Sequence, residues 1–162
     1  MGGPMFSIIL LIMATIACLP LVFAPADVGA PGSTVRAVND VRELAVAIMV
    51  QQQALQAYHT ANPAATGNVT TALVMPPPWL VPAGVVSVIG TSGTYVVGIT
   101  YYDSTRYRYR APNIAQALAE EQGYSGSIGI TAAGTIASPQ GGVVPLPAGV
   151  PAGVAGIAEV LD

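Results

Sequence analysis

The chain has no lysine, a single cysteine (Cys18) and a single histidine (His59), and charged residues make up only 8% of its 162 positions. Each scarcity excludes something. One cysteine forbids a disulfide within the chain. Five cations, all arginine, and a net charge of −3 leave no basic field of the kind that nucleic-acid binding needs to neutralise phosphates. Without lysine there is no phosphate-cradling glycine-rich motif of the lysine-bearing kind. With one histidine and one cysteine far apart, neither a base-activated nucleophile nor a clustered metal site can be assembled. Glu120 and Glu121 are neighbours on a helix and point about 100° apart, so they do not form a working carboxylate pair. The expectation is a chain that is not an enzyme, with no catalytic residues, no cofactor and no metal.

What the chain does have is apolar residues, 52% of the total. An ordinary soluble domain carries about 25% charge. Here Ser, Thr, Gln, Gly and Pro must cover the outside, and low charge is weak protection against association, which points to assembly with other proteins or with further copies of the chain.

The apolar excess is concentrated at the front. Residues 5–23 read MFSIILLIMATIACLPLVF, without a charge before Asp27. At 1.5 Å per residue they span roughly 28 Å, close to the hydrocarbon thickness of a bilayer. Two readings stand. In one, residues 1–26 are an uncleaved membrane anchor, favoured by the length of the run and by the lack of a positive n-region. In the other they are a signal segment cut after Ala24-Pro25-Ala26, which offers small residues where a signal peptidase reads them. Either places residues 34–162 outside the cytoplasm, with residues 27–33, rich in Pro and Gly, as a linker. The expected address is a bacterial inner membrane with the C-terminal domain in the periplasm; the alternative is a secreted or pilus-associated chain. Cys18 reads as a small apolar side chain in the membrane segment.

Beyond the linker the pattern becomes helical over residues 34–60. Ala37, Val41, Leu44, Ile48, Gln51, Leu55 and Tyr58 recur at spacings of four and three, on one face. Val35, Val38, Ala45, Met49 and Ala54 widen that face, which suits packing on the chain's own sheet better than a coiled-coil stripe. Gln51, Gln52 and Gln53 read as a solvated polar belt, and His59 as a surface residue near the helix end. Asn62-Pro63 stops the helix.

Strand and turn signals follow. Met75-Pro76-Pro77-Pro78-Trp79 is a polyproline-like passage whose tryptophan reads as an aromatic anchor pinning a long loop, or as a partner epitope. Residues 85–89 and 94–102 are β-branched and aromatic with a Gly-rich turn between them, a hairpin. Arg106-Tyr107-Arg108-Tyr109-Arg110 alternates with period two, the pattern of a strand with tyrosines on one face and arginines on the other. A short helix is expected over 112–122 with Gly123 as its cap, then a second hairpin over 127–131 and 135–137, then an extended, turn-rich ending. The fold class is therefore α+β: an N-terminal transmembrane helix, a long amphipathic helix packed on a mostly antiparallel sheet, and a short second helix. Candidate partner contacts are Arg106, Arg108 and Arg110, with Trp79 and the helix positions Val41, Ile48 and Leu55.

This order of pieces resembles one family. An apolar N-terminal segment, a helix ending near Tyr58-His59-Thr60-Ala61-Asn62-Pro63, the passage Met75-Pro76-Pro77-Pro78-Trp79, and a final section from Ser127-Ile128-Gly129-Ile130 through Ser138-Pro139-Gln140-Gly141-Gly142 to Leu146-Pro147-Ala148-Gly149-Val150-Pro151-Ala152-Gly153-Val154 are similar to the PilM proteins of type IVB thin-pilus operons on conjugative plasmids. The resemblance implies an inner-membrane accessory of pilus biogenesis or conjugative transfer, with other pilus or secretion assembly proteins as partners. A pilin-like filament subunit, minor pilin or pseudopilin, is the related alternative, although residues 25–32 interrupt the continuous helical spine such subunits use. A secreted binding module, released by cleavage at Ala26, is the third.

Overall fold

A computed structural model describes the backbone of residues 33–122, 127–137 and 143–161, and side chains from residue 40 onward. Residues 37 to 162 form one compact unit. The expected membrane segment at 5–23, Cys18, the cleavage site, residues 27–32 of the linker, Gly123 and residues 138–142 lie outside the described residues, and Ser33, expected in the linker, is the first residue of a helix. Among those described, no helix is long and apolar enough to cross a membrane.

The long helix α1 runs over Ser33–Ala61, roughly 43 Å at 1.5 Å per residue. Asn62 terminates it: its backbone N–H donates to the carbonyls of Tyr58 (2.9 Å) and His59 (3.0 Å), and its side-chain amide donates to Tyr58 O at 3.0 Å. Strand β1 (Gly67–Asn68) and a 3-10 turn (Thr70–Ala72) follow, then the hairpin β2 (Val85–Ser92) and β3 (Tyr95–Tyr102), turned by Gly93 at φ +64. Helix α2 (Ala111–Gln122) comes next, then β4 (Ile128–Ala132), β5 (Thr135–Ala137), β6 (Val143–Pro145) and β7 (Ala155–Val160).

All seven strands join one antiparallel sheet in the order β1-β2-β3-β7-β4-β5-β6. The last strand of the chain therefore lies at its centre. No strand signal marks this stretch in the sequence, because Ala155, Gly156 and Ala158 carry little β-propensity. They are small because β7 is enclosed: a Cβ on Gly156 would stand 2.6 Å from the Thr100 carbonyl and 2.8 Å from Tyr101 Cβ.

Both helices cover one face of the sheet. Val41, Ala45 and Ile48 of α1 and Ala111, Ile114, Ala115 and Leu118 of α2 meet Val85, Tyr102, Ile128, Ala155 and Ile157 in one core. Farther along α1, Ala54 and Leu55 pack with Val69, Leu73 and Ile89. Each fully buried isoleucine or leucine contributes about 1.5–3 kcal/mol relative to an exposed one. The opposite face carries Val97, Ile99, Tyr101 and Ala158, closed over by Ile136, Leu146 and Val154. Pro147, just past β6, sits directly on Gly90 of β2, where an added Cβ would approach it to 2.6 Å. Since β2 and β6 lie near opposite ends of the strand order, that contact requires the sheet to curl over itself.

Candidate contact surface

Three expectations about side chains change here. Gln51 and Gln52 are not a solvated belt: they are 0% and 3% exposed, and only Gln53 faces water. Gln51 sits in the apolar seam and donates from Nε2 to Ser87 Oγ at 2.9 Å, while Ser87 Oγ and Thr100 Oγ1 share a hydrogen at 2.9 Å. Glu159 Oε2 on β7 accepts from Gln52 Nε2 at 3.2 Å and from Gln56 Nε2. A polar row thus runs between helix and sheet, in which Gln51 Oε1 and Gln52 Oε1 have no hydrogen-bond partner; His59 Nδ1, farther along α1, is also buried without one. His59 is buried rather than a surface residue.

The Arg106–Arg110 run is not a strand. Asp103 opens a turn, accepting from Thr105 N–H at 3.2 Å through Oδ1 and from Arg106 N–H at 3.3 Å through its carbonyl. Both neighbours of β3 in the sheet are already taken by β2 and β7, so the chain leaves the sheet at this point. Tyr107 and Tyr109 both approach the Tyr102 ring, at 6.0 and 6.2 Å between centroids. Tyr107 also lies on Gly84, whose position has no room for a Cβ. Arg110 ends the run by offering its carbonyl to the N–H groups of Asn113 and Ile114, at the start of α2.

The arginines are consequently spread, not aligned. Arg106 Nε is 3.7 Å from Asp103 Oδ2. Arg108 reaches α1, where its Nη2 donates to Asp40 Oδ2 at 2.7 Å and to Tyr109 Oη at 2.6 Å, with the guanidinium 4.7 Å above the Tyr109 ring. The Tyr109 hydroxyl donates to the same Asp40 oxygen at 3.2 Å. Partial burial, then that hydrogen bond, raises the Tyr109 pKa above the usual value for tyrosine, so the phenol keeps its proton. Arg42 bridges the two helices, 3.7 Å from Glu120 and 3.5 Å from Glu121.

Two grooves flank the outer side of α1. One, of about 510 Å³, lies against α2 and is lined by Val41, Arg42, Tyr109, Asn113, Gln116 and Glu120. The other, of about 420 Å³, lies against the proline-rich connection and is lined by Asp40, Glu43, Leu44, Ala47, Pro78, Trp79 and Leu80. Trp79 is half-buried at that wall. Val41 edges the first groove, whereas Ile48 and Leu55 are wholly enclosed against the chain's own sheet. Sequence reasoning missed the meeting of Asp40 with Tyr109, 69 positions apart, and the place of Asp40 and Glu43 at the second groove, since no local pattern signals either. Among the described residues no group of His, Cys, Asp and Glu could hold a metal ion.

No curated protein and no solved structure matches the chain. The PilM family model does match, over residues 22–155, from the end of the apolar segment into β7. That span covers most of the sequence and the whole succession of helices and strands up to the last, so the chain belongs to the PilM family.

Proposed function

We propose that this chain is a non-enzymatic accessory component of type IVB pilus biogenesis or conjugative transfer, working through protein contacts at the inner membrane. Membership of the PilM family carries a pilus-related role and contact with pilus assembly components; it is the observation on which the proposal rests. Residues 5–23 are the proposed anchor, by their length and lack of charge, and the domain stands in the periplasm. The surface suits the role: charge is sparse, and Arg42, Arg106 and Arg108 are spent on contacts within the domain.

Deleting the coding sequence from a pilus-bearing cell tests the reading. Loss of surface filaments, restored by the intact chain, with the protein retained in the inner-membrane fraction beside assembly proteins, is the expected result. Recovery of the chain in sheared filaments would replace the accessory role with that of a filament subunit. Unchanged piliation would overturn both.

A further inference from the structure

Val74, Leu80 and Val81 are 87%, 82% and 37% exposed, and all three belong to the single connection between the 3-10 turn and β2. The other large exposed apolar side chains among the described residues, Tyr95, Tyr107, Val143 and Val160, lie on separate segments of the chain. Of the three on the connection only Leu80 lines the neighbouring groove, with Val74 and Val81 adding exposed apolar surface to the same connection; exposed apolar surface beside a groove marks a contact site. This connection is also braced: Trp79 N–H donates to Pro76 O at 2.9 Å, Val85 N–H to Pro82 O at 3.2 Å, and prolines occupy positions 76, 77, 78 and 82. A surface already held in shape loses little freedom on binding.

The groove beside it has apolar walls, from Leu44 and Ala47 on α1 and Pro78, Trp79 and Leu80 on the connection, and two carboxylates, Asp40 and Glu43. Asp40 is matched by Arg108. Glu43 is exposed and forms no ion pair with a described residue. We propose that this groove seats a segment of a different protein in which an aliphatic or aromatic side chain lies next to a lysine or arginine, the apolar group entering between Leu44 and Trp79 and the cation meeting Glu43. The inference rests on the contact-making role proposed above and names the surface and the chemistry of the partner.

Charge selects this occupant. A second copy offers less, because the chain has no lysine and, of the arginines whose side chains are described, Arg42, Arg106 and Arg108 already face carboxylates, which leaves Arg110 alone. A membrane surface fits poorly, since carboxylates at the rim are repelled by anionic headgroups. Opposite charge across an interface chiefly fixes partner choice and encounter rate.

A photo-cross-linking residue placed at Leu80 of the full chain, in cells assembling pili, with a second at Val143 on edge strand β6, tests the proposal. The expected result is an adduct at Leu80 with another protein, mapped by mass spectrometry to a segment bearing a lysine or arginine within a few residues of the attachment point. Glu43→Lys lowers its yield by about fivefold, and reversing the mapped cation to glutamate restores it. Adducts to a second copy or to lipid, or a yield indifferent to Glu43→Lys, overturn the proposal. So does labelling of pilus proteins from Val143 with none from Leu80, which leaves the contact-making role standing. Absence of pilus-protein adducts at both positions defeats the groove and that role together.

Discussion

Gln51 occupies a place in the α1 seam where the spacing from Ile48 to Leu55 asks for an aliphatic side chain, and it holds Ser87 and Thr100 in a buried chain of hydrogen bonds. Its own Oε1 has no partner. An unsatisfied buried acceptor costs about 1–3 kcal/mol, whereas an apolar group of similar shape avoids that cost. Gln51→Met is therefore expected to leave stability within about 1 kcal/mol of the parent or to raise it, because Ser87 keeps Thr100 as its partner. Ser87→Ala, which strands Gln51 Nε2 as well, is expected to lose about 1–3 kcal/mol; urea denaturation of both variants checks the sign. Gly156→Ala meets backbone on β3 and is expected to cost about 2 kcal/mol or more in the same assay. Tyr101, raised in pKa by burial and then by Asp103, and Tyr109, raised by burial and by Asp40, keep their protons in the folded state at pH values where the unfolded chain has lost them. Their contribution is complete below about pH 10 and is lost as pH rises beyond it. Thermal unfolding followed from pH 8 upward should show the midpoint falling only above that point. The position of Gln51 in the seam was legible in the sequence. The burial of Gln52 and His59 was not; Gln52 meets Glu159, a partner 107 positions away in the chain.

At the scale of elements, local signals located most pieces. The cap at Asn62, the hairpin turn at Gly93 and the start of α2 at Ala111, with Pro112 in its first turn, are all written in turn and helix chemistry. The Arg-Tyr alternation misled because period two describes a strand only where a strand edge is open. β3 has no open edge at that point, so the tyrosines lean against Tyr102 with tilted rings, and Arg106 and Arg108 turn to separate carboxylates. The Asp40–Arg108 pair ties this connection to α1, yet both side chains are well exposed. A double-mutant cycle on Asp40→Asn and Arg108→Gln should return a coupling under about 1 kcal/mol. Hydrogen exchange should nonetheless quicken at Thr105 and Tyr109 in either single variant, since the tie orders a loop more than it stabilises the fold.

For the whole molecule, the place of β7 decides how the chain folds together. The sequence indicated α+β with a long helix on an antiparallel sheet, and that is the architecture observed. It did not indicate that residues near the C-terminus form the central strand, because small residues that fit between two strands carry no pattern of their own. Removal of residues 155–162 separates β3 from β4 and uncovers Ile99, Ile128 and Val97 together. The shortened chain is expected to lose its near-ultraviolet circular dichroism and its cooperative urea transition, whereas an equal-sized deletion from β1 toward the 3-10 turn would spare the centre of the sheet. The central claim is that this PilM-family domain is carried on an intact membrane segment and works there. Intact mass and N-terminal sequence of the protein from fractionated, pilus-bearing cells test it most directly. The account predicts a chain that retains residues 1–26 in the inner-membrane fraction; a chain beginning at Asp27 in soluble or filament material would contradict it.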